Sequence, residues 1–468
     1  MKDASEQSGC KLFSMRHRRS IFAAVVLPFI PAIAFYIILW RLSFDIPILD
    51  DYPALLEVLV RLRSTDGVLR KITYLIGYQH NEYKLWLDSS VAWFEFRLLG
   101  HVNFRCLCLI GDSFVLLTGF VLWVMFLPTC TDTVRRLILF IPVSLLLFQL
   151  SYAETLNWAM ASLQNLPVIF FSMLSIVLLL RPTGRAFWAA AVCLVLAISS
   201  SGNGFLTVPI GATIMASKKR YPYLVYWIIV TITLSAGYAF HYNIVSSANP
   251  ASEHALGAAS HRSVIVSLSH FSLKYTLAFI GSIGTSHACL FLGALICIIN
   301  CYLLFNGYFG RNEAVGYCVL FMLITAVGVA GIRSEFGLLQ AISSRYKMYS
   351  TLMIIFCWFP IAEAVALRLP RKSATFIYLA AMVFGLTLFA REDLLGYSSL
   401  SGRRASTMKG MRMYEQSATD RTTRGPIFWE QGQGPLFERA NPEARVILRE
   451  AERLGIYLPP DLLSTETH

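Results

Sequence analysis

Charge is scarce in this chain. Only 15% of its 468 residues are Asp, Glu, Lys or Arg, against the roughly 25% with which a soluble domain covers itself in water. Hydrophobic residues make up 56%, and mean hydropathy is +0.57. Also missing are a CxxC pair and a Cys/His cluster. Of ten cysteines, Cys106, Cys108, Cys193, Cys289, Cys297, Cys301, Cys318 and Cys357 all sit in apolar stretches, where cysteine acts as a small hydrophobe. No zinc module and no disulfide framework follow from such a distribution. A glycine-rich nucleotide loop is absent, as is any internal repeat. The net charge of +12 is not gathered on one amphipathic element. Its short basic clusters between apolar runs exclude a nucleic-acid partner and match the pattern that orients membrane proteins.

What the chain does have is apolar runs. A membrane-spanning helix needs about 20 such residues, and the candidates are 21–40, 104–127, 137–152, 164–180, 222–241, 285–305, 314–332, 348–366 and 374–390. The stretch 186–217 is too long for one helix and is broken by Ser199-Ser200-Ser201-Gly202-Asn203-Gly204. It reads as two shorter helices meeting at a polar hairpin. The expectation is an all-α integral membrane protein, a polytopic bundle of about eleven transmembrane helices over 21–390.

The basic run Arg16-His17-Arg18-Arg19 precedes the first span, so residues 1–20 read as a cytoplasmic N-terminus. That span exceeds a signal-peptide core of about 7–15 residues and reads as uncleaved. With the N-terminus inside, the inner loops hold Arg135-Arg136, Arg181 with Arg185, Lys218-Lys219-Arg220, Arg311, and Arg368 with Arg371-Lys372. Every short inner loop is then basic, and the count works only if 186–217 crosses twice.

Three outer regions remain: the first outer loop 41–103, residues 242–284, and a tail 391–468. In the first, Leu55, Leu56, Leu59 and Leu62 recur at helical spacing beside Glu57, Arg61 and Arg63, which predicts an amphipathic helix lying on the membrane surface. A second surface helix is expected over Leu85–Leu99. The tail reads as polar and partly mobile from Ser398 to about Gly434, ending in a short helix over Pro442–Leu454.

Candidate chemistry gathers in four places. Asp45 and Asp50-Asp51-Tyr52 follow the first span. There a general base could meet a lipid-linked and a water-soluble substrate together; the alternative is a solvated acidic loop. Gln79-His80-Asn81-Glu82-Tyr83-Lys84 crowds hydrogen-bonding groups between apolar helices, which suits sugar or phosphate contacts, a metal site with the Asp pair, or a capped connection. Glu154, Asn157, Trp158, Gln164 and Asn165 stand at the outer ends of two spans, where Trp158 could stack a sugar ring or serve in an interfacial belt. The Asn203 hairpin could face the same site, since broken helices are tolerated where backbone lines a cavity. Finally, Arg333-Ser334-Glu335 and Ser343-Ser344-Arg345-Tyr346-Lys347 put positive charge at an outer boundary. Arginine suits bidentate phosphate binding, whereas Lys347 could equally be a snorkelling anchor. Asp112, the acid deepest in a span, reads as structural, with Ser113 and Thr118 as its partners.

Asp50-Asp51 in a long first outer loop, flanking surface helices, about eleven spans and late outer arginines together resemble the GT-C glycosyltransferases, which use polyprenyl-phosphate-linked sugars. Gln79 to Glu82, Glu154 to Gln164, Ser201 to Gly204 and Ser344-Arg345-Tyr346 resemble recurring features of bacterial membrane proteins of this kind. The resemblance covers 20–390, without the large folded outer domain of better-known members. It implies that Asp51 or Asp50 deprotonates an acceptor hydroxyl or holds a divalent metal, and that Arg345, with Arg333 and Lys347, stabilises the departing lipid phosphate. His80, Asn81, Glu82, Glu154, Asn157, Trp158, Gln164, Asn203 and Tyr346 would contact substrate. The partners implied are the lipid bilayer of a bacterial inner membrane, a polyprenyl-phosphate-linked sugar, and a glycan or lipid acceptor, with no nucleotide. A polysaccharide polymerase or ligase would share these features. A lipid-linked sugar flippase would need ionisable residues along a path through the bilayer.

The charge pattern generates a first prediction. A topology reporter fused after residue 219 should register the cytoplasm, and one fused after residue 400 the outer side. An inner signal at 400 would put the Arg345 region on the wrong face.

Overall fold

The computed structural model describes residues 26–81, 83–243, 271–285, 287–419 and 444–460. The basic N-terminal run, Glu82 and the polar stretch after residue 420 lie outside the described residues. Within them every regular element is a helix, and strand-like pairing is confined to isolated bridges, His80 with Tyr83 and Val102 with Tyr457. The chain is an all-α membrane protein.

The helices, in order, are α1 (Leu27–Leu42), α2 (Val58–Ser64), α3 (Val68–Gly77), α4 (Trp86–Leu99), α5 (Phe104–Phe126), α6 (Thr133–Leu147), α7 (Ala159–Leu179), α8 (Gly184–Ser200), α9 (Thr207–Ser217), α10 (Tyr221–Ala239), α11 (Leu273–Ile280), α12 (Cys289–Phe305), α13 (Glu313–Arg333), α14 (Lys347–Leu367), α15 (Arg371–Thr419) and α16 (Ala444–Arg453). Seven helices among the described residues, α5, α6 with its following turn, α7, α10, α13, α14 and α15, are long and apolar enough to cross a bilayer. α1, α8 and α12 are apolar but shorter. Burial sorts them. α7 is covered along most of its length, whereas α10 buries only Trp227 and turns Tyr226, Ile229 and Ile232 outward. The first is a core helix and the second faces lipid.

The expected break inside 186–217 is present. α8 ends at Ser200, a 3-10 turn occupies Gly202–Leu206, and α9 follows. A Cβ on Gly204 would stand 2.4 Å from the Ala197 carbonyl carbon, so only glycine lets the turn fold back onto the end of α8.

Two expectations for the outer side are corrected. The leucine stripe of 55–62 does not lie on lipid. Leu55, Leu56 and Leu59 are fully buried and Leu62 nearly so, because α16 covers them with Leu448 and Ala451, joined by Ile456 and Tyr457. The Val102 N–H donates to the Ile456 carbonyl at 2.8 Å, and the Tyr457 hydroxyl to the Asp45 carbonyl at 2.8 Å. Apolar side chains do face outward on α3, with Val68 at 75% and Leu69 at 77% exposure, and on α4, with Phe94 at 64% and Leu98 at 66%. The tail also differs: α15 runs unbroken for 49 residues, about 70 Å at 1.5 Å per residue, so it carries on well past residue 391. Towards its C-terminal end it buries Leu400, Met411 and Tyr414, spaced to share one face.

The docking of α16 generates the second prediction. Leu448→Ala should cost about 2–5 kcal/mol, as for a filled core position, while Leu69→Ala should stay within about 0.5 kcal/mol. Denaturation of the detergent-solubilised full chain measures both. Equal, small effects would mean that α16 is not seated on the first outer loop.

Candidate functional site

Four separated stretches of chain meet at one end of the helical bundle around a polar cavity of about 140 Å³. Asp50, His80, Asn81 and Tyr83 come from the first outer loop, and Glu154, Trp158, Gln164 and Asn165 from the α6–α7 turn and the start of α7. Ser201 and Asn203 come from the α8–α9 turn, and Arg333, Arg345, Tyr346 and Tyr349 from the end of α13 and the start of α14.

Each stretch is held by buried groups that answer backbone polar atoms. The turn after α1 bends at Leu49, whose φ is +51°, and the next residues diverge. Asp50 opens onto the cavity, with its carboxylate 3.7 Å from His80 Nε2. Asp51 turns inward, 1% exposed, accepting the Ile48 N–H at 3.0 Å and the Met160 N–H at 2.8 Å. Met160 lies in the first turn of α7, so the carboxylate sits at a helix N-terminus, where free N–H groups and the helix dipole favour it. Burial nevertheless dominates and raises the Asp51 pKa to about 7, against those two N–H groups and Arg403, with Asp50 adding a smaller upward push. The same cause lifts Asp45 to about 6, whose carboxylate accepts the Phe104 N–H at the start of α5.

The segment bearing His80 reverses at Asn81, φ +49°, between paired His80 and Tyr83 backbones; asparagine tolerates this left-handed conformation. Its anchor is Lys84. The fully buried ammonium donates to the Gly77 and Phe240 carbonyls at 2.8 Å and to the Ile76 carbonyl at 3.2 Å, tying α3 to the end of α10. Burial lowers its pKa. Gln79 adds a two-way link to the Asn243 backbone, and the Tyr78 hydroxyl donates to the Pro53 carbonyl at 2.7 Å.

Opposite, the Arg345 guanidinium stands 3.5 Å from the Glu154 carboxylate. The Ser344 hydroxyl accepts the Glu154 N–H at 2.7 Å across 190 positions. Arg333 donates to the Tyr83 hydroxyl at 3.2 Å across 250 positions, and Asn203 to the Tyr349 hydroxyl at 3.2 Å. The buried indole N–H of Trp158 meets no acceptor among the described residues. A carboxylate and imidazole on one wall thus face two guanidiniums on another, with amide and indole donors between. Such a cavity can bind an anion and take a proton from a neighbouring hydroxyl. Among the described residues no three His, Cys, Asp or Glu side chains group as metal ligands.

Of the residues singled out from sequence, Asp50, His80, Asn81, Glu154, Trp158, Gln164, Asn203, Arg333, Arg345 and Tyr346 line this cavity. Three stand elsewhere. Asp51 lies beneath it. Asn157 is buried below the α6–α7 turn with φ +53°, its N–H 3.4 Å from the Asp112 carboxylate. Lys347 pairs instead with the buried Glu392 of α15 at 2.8 Å. Asp112 is held in the core, but by Asn157 rather than by its helix neighbours. Ser113 and Thr118 bond back to the Ile110 and Phe114 carbonyls of their own helix, the usual local competition for such hydroxyls.

Sequence reasoning also missed Lys84 as an anchor and Arg403 altogether. Arg403 reaches from α15 to the Ala153 carbonyl at 2.7 Å and the Leu156 carbonyl at 2.9 Å, bracketing the turn that presents Glu154. Compared with protein-family models, curated proteins and solved structures, the chain matches none of them.

The buried acids generate a third prediction. Asp51 has a folded pKa near 7 against an ordinary 3.8, so between those values the folded state holds a proton that the unfolded chain has released. Stability from this group is full below about pH 4 and is lost as pH rises through 7, at up to about 1.4 kcal/mol per unit. Asp45 and Glu95, raised to about 6 and 7 by burial, act with the same sign. The Tm of the solubilised protein should therefore fall between pH 5 and pH 7, and less steeply in Asp51→Asn. An unchanged slope in that variant would place the titration elsewhere.

Proposed function

We propose that the protein is a membrane glycosyltransferase of GT-C type, moving a sugar from a polyprenyl-phosphate donor to a cell-envelope acceptor on the outer face of the membrane. The observation that carries this reading is the cavity itself. The Asp50–His80 pair and the guanidiniums of Arg333 and Arg345 line one cavity at one end of an apolar bundle. A lipid-anchored phosphate arrives at that level, and arginine binds phosphate through paired N–H groups. Eleven crossings belong to the same proposal: the seven long helices, the shorter α1, α8 and α12, and α9, with the N-terminus inside.

In this reading Asp50 removes the proton from an acceptor hydroxyl, with His80 orienting the carboxylate. The acceptor oxygen attacks the anomeric carbon, and the bond to the phosphate oxygen breaks with its electron pair staying on the polyprenyl phosphate. The configuration inverts. Arg333 and Arg345 stabilise the charge that develops on the leaving phosphate, a form of stabilisation that acts most strongly where water is excluded. Glu154 holds Arg345 in place, while Trp158, Gln164, Asn165 and Asn203 offer a stacking face and donors to the sugar. Asp51 serves as the support beneath Asp50.

The experiment is direct. The full chain in proteoliposomes, given a polyprenyl-phosphate-linked radiolabelled sugar and membrane-derived acceptor, should release polyprenyl phosphate. Asp50→Asn should lower the rate about 10²–10⁴-fold, the usual worth of a general base, and Arg345→Lys should impair transfer because an ammonium cannot make the paired contact. Absence of release by the unaltered protein across polyprenyl-phosphate sugars, or full activity in Asp50→Asn, would remove the reading.

A further inference from the structure

A second opening lies far from the polar cavity. It is a groove of about 400 Å³ between the end of α12, the single turn Tyr308–Arg311, the end of α14 and the start of α15. α14 fixes its level: Tyr349 in its first turn lines the cavity, and its 21 residues end at Leu367, next to Arg368 of the groove. At 1.5 Å per residue that is about 30 Å, the thickness of the hydrocarbon core. α13 repeats the arrangement, with Arg333 at the cavity and Glu313 next to Arg311. The groove therefore opens at the opposite membrane face.

Its two ends differ in chemistry. One is walled by Ile299, Leu303, Pro360, Ile361 and Ile377, and outward-facing apolar side chains such as Tyr302 and Leu367 flank it. At the other, Arg311 and Arg368 stand with Asn306 and the single carboxylate of Glu363, leaving net positive charge. Three other arginines at helix ends are engaged with backbone. Arg135 donates to the Val365 carbonyl, Arg136 to the Cys130 carbonyl, and Arg220 to the Leu179 and Arg181 carbonyls, closing helix ends. Arg311 is exposed and makes no hydrogen bond or ion pair among the described residues. Arg368 makes one contact, to Glu363 at 3.0 Å.

We propose that this groove binds one anionic phospholipid of the adjoining leaflet, with its phosphate between Arg311 and Arg368 and an acyl chain along α12 and α14. The volume lies in the range of small-molecule sites, the apolar wall selects an amphiphile over a free anion, and the net positive charge left by two guanidiniums against one carboxylate selects negative over zwitterionic headgroups. Guanidiniums at an anionic leaflet each add measurably to lipid binding. The inference is independent of the glycosyltransferase reading, because it involves neither the cavity nor its residues.

The test uses the full chain in detergent with phosphatidylcholine, titrated with phosphatidylglycerol, with further phosphatidylcholine, or with inorganic phosphate. Tm and bound lipid by native mass spectrometry are the readouts. Phosphatidylglycerol should raise Tm saturably with one lipid retained, and the other two should not. Combining Arg311→Ala with Arg368→Ala should weaken the titration about tenfold or more while leaving the starting Tm unchanged. Should that starting Tm fall, Arg311→Gln, a change at an exposed side chain, carries the test and should still weaken the titration. Unaltered titration in these variants, or equal stabilisation by phosphatidylcholine, overturns the proposal. Stabilisation by inorganic phosphate alone reduces the groove to an anion site and overturns it as well.

Discussion

Backbone that is neither helical nor in water must find partners for its N–H and C=O groups, and the end of this protein that holds the cavity is built around that requirement. Helices satisfy themselves, but the turn after α1, the segment 78–84 and the α6–α7 turn cannot. A few buried ionisable side chains answer them. Asp51 takes the N–H groups of Ile48 and Met160, Lys84 takes three carbonyls, Arg403 takes two, and Asp45 takes the Phe104 N–H. A buried charge is costly unless so engaged, so each is informative about which irregular stretch it holds. Remove one, and the stranded backbone groups together with the lost anchor disturb the segment carrying a cavity residue.

The cavity depends on these anchors because its walls are distant in sequence. His80 faces Arg345 only if Lys84 and Gln79 pin the first outer loop to the end of α10, and Arg345 is presented only if Ser344 meets the Glu154 backbone. Long polar side chains on unsupported loops lose much rotamer freedom on binding. A lining whose donors are already fixed against Tyr83, Tyr349 and Glu154 has met much of that cost in folding. Preorganised donors of this kind suit a site that must stabilise charge as it appears on a leaving group.

Much of this was legible in the sequence, and the residues say why. His80, Glu154, Asn203 and Arg345 are polar groups stranded at the ends of apolar runs, a conflict with their surroundings that composition alone exposes. The break at Gly202-Asn203-Gly204 announced itself through the length of 186–217 and the placing of the basic loops. The leucines of 55–62 declared that one face is covered, but not by what; their cover, α16, comes from the far end of the chain. Arg403 was invisible, because beside Arg404 in a polar run it reads like any solvated charge. Only the approach of α15 to Ala153 and Leu156 gives it a role. Lys347 was misplaced for a similar reason: its partner, Glu392, sits on a helix expected to have ended.

The adjacent acids Asp50 and Asp51 carry the last step. Sequence cannot separate them, since they share a charge, a position and a neighbour. Geometry does, through one turn at Leu49 and one helix start at Met160. Asp51 spends both oxygens on backbone N–H groups, and burial biases it towards its proton, so its environment suits support and makes it a poor base for a molecule it cannot touch. Asp50, partly exposed at the cavity wall with an imidazole within 3.7 Å, has both access and a partner that can share a proton. Two like carboxylates side by side would raise each other's cost of ionisation. Turning Asp51 inward puts it where burial raises its pKa, and leaves Asp50 at the cavity wall. Geometry and desolvation together therefore separate two acids that the sequence leaves alike.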